Sequence, residues 1–198
     1  NGAALNAIQG GNDKITLDDI TSAYYDIVMG HKIDMLQSEK TLLETAYHEC
    51  GHALCYIFNK KNPYKFNFIT IEPRANTLGF VHSIDSDFED SRSLNKEEML
   101  SRVVALYGGM AAEKIMLNDT STGVSSDVDK ARRIAEEMVT VYGMYGIEHV
   151  GRATDSDDVK KIVSEILTSC YEQANSILHG KEDLIKAISK ELLLKKTL

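Results

Sequence analysis

Two histidines four residues apart, with a glutamate directly after the first, stand at His48, Glu49 and His52 inside the run from Thr45 to Leu54. On an α-helix this spacing puts both imidazoles on one face about one turn apart, close enough to share an ion such as Zn²⁺, with Glu49 beside them. Two imidazoles leave positions for a third ligand and a water. A metal there would acidify the water and Glu49 would take its proton, which prepares attack on a peptide carbonyl without a covalent intermediate. The same pattern also arises by chance, or from two ordinary half-buried histidines. Against that, Leu43, Ala46, Tyr47, Cys50, Leu54, Ile57 and Phe58 already form an apolar stripe at spacings of three and four, and the histidines lie off its centre.

A helix must carry these residues, and its limits are written around them. Ser38 can cap its start, and Pro63 forbids its continuation, so the spacing predicts a helix from about Ser38 to Lys61. Upstream, residues 3–9 read as a short helix stopped by Gly10-Gly11. A second helix starts at Thr16, with Asp18 and Asp19 in its first turn, and runs to Gly30. That segment looks separable, with a boundary at residues 30–36. Downstream, 66–71 and 78–84 are β-rich runs around Glu72 to Thr77, which predicts a hairpin; a substrate peptide could add to its edge as a further strand.

After an acidic loop at 85–93, a helix from Asn95 to Leu117 passes through Gly108-Gly109. Glycine costs about 1 kcal/mol in a helix relative to alanine, so two together imply close approach of another backbone, the histidine helix being the obvious neighbour. A loop at 118–123 leads to a helix capped by Ser125 or Ser126 and running to about Tyr142, with Val128, Ala131, Ile134, Ala135, Met138, Val139 and Tyr142 inward. Two closing helices cover about 157–178 and 181–195. The sum is a mainly α (α+β) domain with a small β-hairpin beside the histidine helix.

Composition narrows the function classes. Hydrophobic residues at 43% and charged residues at 26% are ordinary for a globular chain, and a net charge of −8 with short basic runs argues against a nucleic-acid partner. No apolar run approaches the roughly 18–20 residues of a membrane span, and no GxxxxGK[ST] phosphate loop is present. Cys50, Cys55 and Cys170 are odd in number without a CxxC, and read as buried free thiols in a reducing compartment.

A third histidine of the longer HExxHxxGxxH motif would fall on Phe58, so the third ligand must come from elsewhere. Glu72 ends a strand before Pro73 and has the wrong context; His82 and His149 read as structural or surface residues. Glu113 and Asp127 each lie on a helix able to pack beside residues 45–56. The residues alone do not choose between them, since a carboxylate in a first helical turn, as at Asp127, is favourable through the helix dipole alone.

The motifs HECGHA (48–53), IEPRANTLGFV (71–81), LYGGMAAEKIM (106–116) and STGVSSDVDKARRIAEEMVTVYGM (121–144) resemble, in the same order, the peptidase domain of the FtsH family of membrane-anchored AAA zinc proteases. They are most similar to its mitochondrial inner-membrane (i-AAA) branch. The resemblance covers nearly all of residues 33–198. It implies a zinc metalloendopeptidase with one Zn²⁺ per chain held by His48, His52 and Asp127, and Glu49 as the base. Glu113 would then be a candidate for orienting a ligating imidazole. Residues 1–32 resemble the last helices of the lid of an AAA ATPase module, which implies ATP only in that module, a homo-hexamer, and unfolded or membrane-associated polypeptides as substrates. It also implies a soluble domain of a membrane-anchored protein in a mitochondrial or other organellar inner membrane. Two departures stand out: Cys50 replaces the family's Ala or Ser within the motif, and the connection from Gly151 to Val159 is short. The alternative is a catalytically silent oligomerisation module with a vestigial or structural zinc site.

Overall fold

A computed structural model describes residues 1–33, 36–74, 79–85 and 93–198. Helices α1 (Gly2–Gln9) and α2 (Leu17–Met29) precede α3 (Glu39–Phe58); strands β1 (Tyr64–Thr70) and β2 (Phe80–Asp85) follow. Then come α4 (Lys96–Leu117), α5 (Ser125–Thr140), α6 (Asp157–Leu178) and α7 (Glu182–Lys195). The mainly α expectation is met. The expected turn at 75–77, the strand start at Leu78 and most of the acidic loop (86–92) lie outside the described residues.

Helix starts follow local chemistry. Thr16 and Asp19 exchange hydrogen bonds as a capping box ahead of α2, and Asn95 and Glu98 do the same ahead of α4. Ser38 Oγ accepts the Thr41 N–H ahead of α3. Two expected limits are corrected. α3 ends at Phe58 rather than Lys61, because Asn59 leaves helical backbone and its side chain accepts the Lys61 N–H. Neither Ser125 nor Ser126 caps α5. Its N-cap is Val124, at the end of a 3₁₀ turn (Thr122–Val124) that Ser121 caps through the Gly123 N–H.

The core is built on α3, which lies between α4 and α7 and also touches β1. Ala46, Cys50, Ala53 and Leu54 of α3 are buried in one core cluster with Val103, Val104, Ala111 and Ala112 of α4. Ile57 and Phe58, expected in this stripe, are 51% and 44% exposed, because they lie in the last turn beyond the buried run that stops at Cys55. Tyr142 is likewise exposed, since α5 stops at Thr140. The α3–α4 contact is closest at Gly51 and Gly108. A Cβ on Gly51 would lie 2.0 Å from the Gly108 carbonyl oxygen, and one on Gly108 would lie 2.5 Å from the Gly51 carbonyl oxygen. Of the two glycines expected from their cost inside α4, Gly108 is the backbone crossing point and Gly109 faces the His48 ring.

β1 and β2 are antiparallel, with a bulge at Asn67 that shifts the register between Phe66↔Ser83 and Phe68↔His82. The other edge of β1 is closed by the C-terminus: Ile69 and Leu198 exchange backbone hydrogen bonds of 3.0 and 2.9 Å, and Ile71 N–H donates to Lys196. Among the described residues, the outer edge of β2 therefore has no partner strand. The α1–α2 pair docks on this hairpin. Buried Arg74 binds Asp26 at 2.9 Å and the Gly30 carbonyl at 3.0 Å, and Lys32 binds Glu72 at 2.7 Å. His82 stacks on Phe68 and shares a 2.8 Å hydrogen bond with Tyr24, a structural role as expected.

Two predictions follow from packing alone. Gly51→Ala forces α3 and α4 apart, so urea melts should show a loss on the order of 3 kcal/mol; a change under about 0.5 kcal/mol would mean the crossing tolerates a methyl. All three cysteines are buried and free, and burial pushes Cys55 and Cys170 up to about 12. Only the thiolate reacts, so at pH 8 the folded chain should resist iodoacetamide, and the urea-unfolded chain should take up three equivalents.

Candidate metal centre

Helix α3 presents His48 and His52 on one face, and the crossing with α4 decides where their rings go. Gly109 leaves the space that His48 fills: a Cβ there would lie 2.5 Å from the imidazole. His48 Nδ1 then reaches Glu113 Oε1, one helical turn further along α4, at 2.7 Å. His52 Nδ1 reaches the Ala105 carbonyl at 2.7 Å on the other side of the crossing. A carbonyl only accepts, so His52 carries its proton on Nδ1. The ionised Glu113 fixes the same tautomer on His48.

Both Nε2 lone pairs consequently point to the same space. They are 2.9 Å apart, and Asp127 Oδ2, from the first turn of α5, lies 3.3 Å from His48 Nε2 and 3.4 Å from His52 Nε2. With both rings neutral, three acceptors converge with no donor among them, an arrangement that calls for a cation: a metal ion or, without one, a second proton on His48. Tetrahedral Zn²⁺ at about 2.0–2.2 Å from each donor requires donor separations of roughly 3.3–3.6 Å; the two sides that run to Asp127 meet it, and the 2.9 Å side between the imidazoles would have to open by about 0.4 Å. The three side chains are the one such gathering of His, Cys, Asp and Glu donors among the described residues.

The electrostatics say the same. Burial disfavours a charged His48, but hydrogen bonds to Asp127 and Glu113 outweigh it and push the ring up to about 10. Burial would raise Asp127, yet the hydrogen bonds from the two histidines hold it well below the ordinary carboxylate range. Glu49 differs. Buried beside Gly79 and Thr45, its carboxyl is held above its usual value by burial despite the pull of His52 and His48. A carboxylate of raised basicity next to a cation site suits a proton acceptor.

Four expected residues (His48, Glu49, His52 and Asp127) line one cleft, together with Glu113. Glu113 is 2% exposed, and its second anchor, missed in the sequence, is Ser121, whose N–H and Oγ donate to it at 2.5 and 3.1 Å. A serine opening a turn eight residues after Glu113 is the local signal that could have found it. The Ala105 carbonyl could not have been found, because any residue type supplies one. Lys130, also missed, stands 3.5 Å from Asp127 Oδ1, at the (i, i+3) spacing that makes helix neighbours. Glu72 pairs with Lys32, and His149 lies beside Glu148, so neither enters the site. Cys50 points into the core with Sγ 3.3 Å from Ser189 Oγ, and burial pushes its thiol up to about 12; it is a small core filler.

A helical domain in which two α3 histidines and an α5 aspartate converge beside a buried glutamate is a metal site of the HExxH class. The model of peptidase family M41 matches residues 35–158, and the chain belongs to that family. It is 34% identical, over its whole length, to the ATP-dependent zinc metalloprotease FtsH of Borreliella burgdorferi, of which the match covers 34%. It is 33% identical to FtsH 2 of Thermoanaerobacter, again over its whole length and over 39% of that protein. Against the chloroplastic/mitochondrial FTSH 11 of Arabidopsis thaliana the identity is 33%, over 99% of this chain and 25% of the relative. The chain thus spans about a third of the length of these relatives, and the identities do not separate a bacterial from an organellar branch. No helix among the described residues is long and apolar enough to cross a membrane.

Removing the acceptor of His48 Nδ1 frees its ring to rotate and weakens its Nε2 as a donor. Glu113→Ala should lower Zn²⁺ affinity by about 10–100-fold, read by competition with a chromophoric chelator, with little change in helicity. Unchanged affinity would show that the carboxylate only fills space.

Proposed function

We propose that this chain is the proteolytic part of an ATP-dependent zinc endopeptidase acting on unfolded or membrane-associated polypeptides. The observation that carries this reading is the triangle of His48 Nε2, His52 Nε2 and Asp127 Oδ2 with a buried glutamate next to it. When bound there, Zn²⁺ supplies Lewis acidity, which makes water acidic near neutral pH and polarises a carbonyl. His48, His52 and Asp127 are the proposed ligands, and Glu113 and the Ala105 carbonyl hold the imidazoles in the ligating tautomer. Glu49 takes the proton of the attacking water and returns it to the departing amine, so no residue is acylated. The edge of β2 that has no partner strand among the described residues, with Phe80 and Val81 on the cleft, offers backbone groups to an extended substrate strand.

Residues 1–32 are proposed to be the end of an ATPase lid and residues 33–198 the peptidase domain, with ATP bound in a module outside these residues. The relatives' names support the ATP dependence. A homo-hexamer anchored to a membrane through other segments would confine substrates at these cleft mouths, consistent with the restriction to unfolded chains.

Glu49→Gln should keep one Zn²⁺ per chain, by atomic absorption, while hydrolysis of an unfolded protein falls about a thousandfold or more. Chelation should abolish hydrolysis in the unmodified chain, and Zn²⁺ should restore it. Undiminished hydrolysis by Glu49→Gln, or a purified chain that takes up no stoichiometric zinc, would sink the reading.

A further inference from the structure

A second cavity, of about 280 Å³, opens beside the cleft and shares Tyr56, Leu106 and Lys130 with it; Arg102, Arg133 and Ile134 complete its lining. Each helix of the site runs on into it. Tyr56 is one turn past His52 on α3, Leu106 adjoins the Ala105 that holds His52, and Lys130 is one turn past Asp127 on α5, with Arg133 a turn further. One turn advances about 5.4 Å, while an extended peptide advances about 3.3 Å per residue, so the cavity lies within one or two substrate residues of the reacting bond.

Its charge is opposite to that of the cleft. Among the described residues the cleft carries Glu44, Glu49, Glu113 and Asp127 with Lys130 as its one lysine or arginine, and the second cavity is lined by three cations and no carboxylate, in a chain of net charge −8. Arg132, on another face of α5, pairs with Asp129 and Glu136, whereas Arg133 makes no ion pair among the described residues. Lys130 bridges the two spaces through its 3.5 Å contact with Asp127.

We propose that this cavity is a specificity subsite for an acidic side chain, Asp or Glu, of the polypeptide substrate. Arg133 and Lys130 are its counter-charges, and Tyr56, Leu106 and Ile134 receive its methylenes. An acidic side chain meets repulsion elsewhere along the cleft and attraction only here, so one acidic residue sets the register of the chain across the metal centre. The proposal rests on the reading that the chain cleaves polypeptides, and binding tests it separately from cleavage.

The probes are fluorescent peptides in pairs that differ only by Glu or Gln at each position flanking the cleavage point. Anisotropy titrations use the Zn²⁺-loaded Glu49→Gln chain. At one or two adjacent positions the Glu peptide should bind about five- to tenfold tighter at about 50 mM salt, with the gap narrowing by about 500 mM. Arg133→Glu should erase or invert the preference, and Arg133→Lys should keep most of it. Equal binding of Glu and Gln peptides at every position overturns the subsite, as does a preference that survives Arg133→Glu. Cleavage by the unmodified chain separates the two readings. A chain that cuts the Gln peptides but binds both kinds equally loses only the subsite, and one that selects Glu peptides but cuts none loses only the peptidase reading.

Discussion

Two helices that touch backbone to backbone set the geometry of this molecule. Where α3 and α4 cross, Gly51 and Gly108 leave no room for a single methyl group on either side. Helix axes are ordinarily held 8–10 Å apart by side chains; glycine at both surfaces removes the spacer. The approach that results lets His48 slide against Gly109 to the Glu113 carboxylate, and lets His52 reach a main-chain carbonyl of the opposite helix. Were the helices a side chain further apart, neither Nδ1 would have its acceptor, and neither Nε2 would be aimed.

The same crossing explains why the site is polar inside a core that is not. Ala46, Cys50, Ala53 and Leu54 bury the opposite face of α3, so the histidine face can be left to hydrogen bonds. Each Nδ1 of the two rings has its acceptor, as burial of such groups demands, and each Nε2 is left to a cation. Cys50 illustrates the division. Its position within the motif would put a reactive thiol near a metal, yet the helix turns it toward Ser189 of α7, where burial keeps it protonated.

Closure of the β1 edge by the C-terminal residues bears on how a substrate could approach. An antiparallel pair has two outer edges; Leu198 and Lys196 occupy one, leaving the other beside the cleft. Edge strands with unmet backbone groups invite pairing. Here, among the described residues, the edge without a partner strand belongs to β2, whose Phe80 and Val81 line the cleft of the metal centre.

The sequence by itself determined the helical periodicity of the chain, the Ser38 cap, the helix starts at Thr16 and Asn95, and the pairing of His48 and His52. These depend on neighbours within four residues, where backbone geometry leaves little choice. It also exposed the Gly108-Gly109 anomaly, because glycine is costly in a helix unless something approaches closely. It could not choose by its own pattern between Glu113 and Asp127, since each is a carboxylate on a helix, and only their placement across 65 and 79 residues of chain from His48 separates them. The tertiary structure put Glu113 behind the ring and Asp127 in front of it. It alone supplied the Ala105 carbonyl and the C-terminal residues that pair along β1. Those features are decided by which surfaces meet, and a contact between distant segments leaves no period in the sequence of either one.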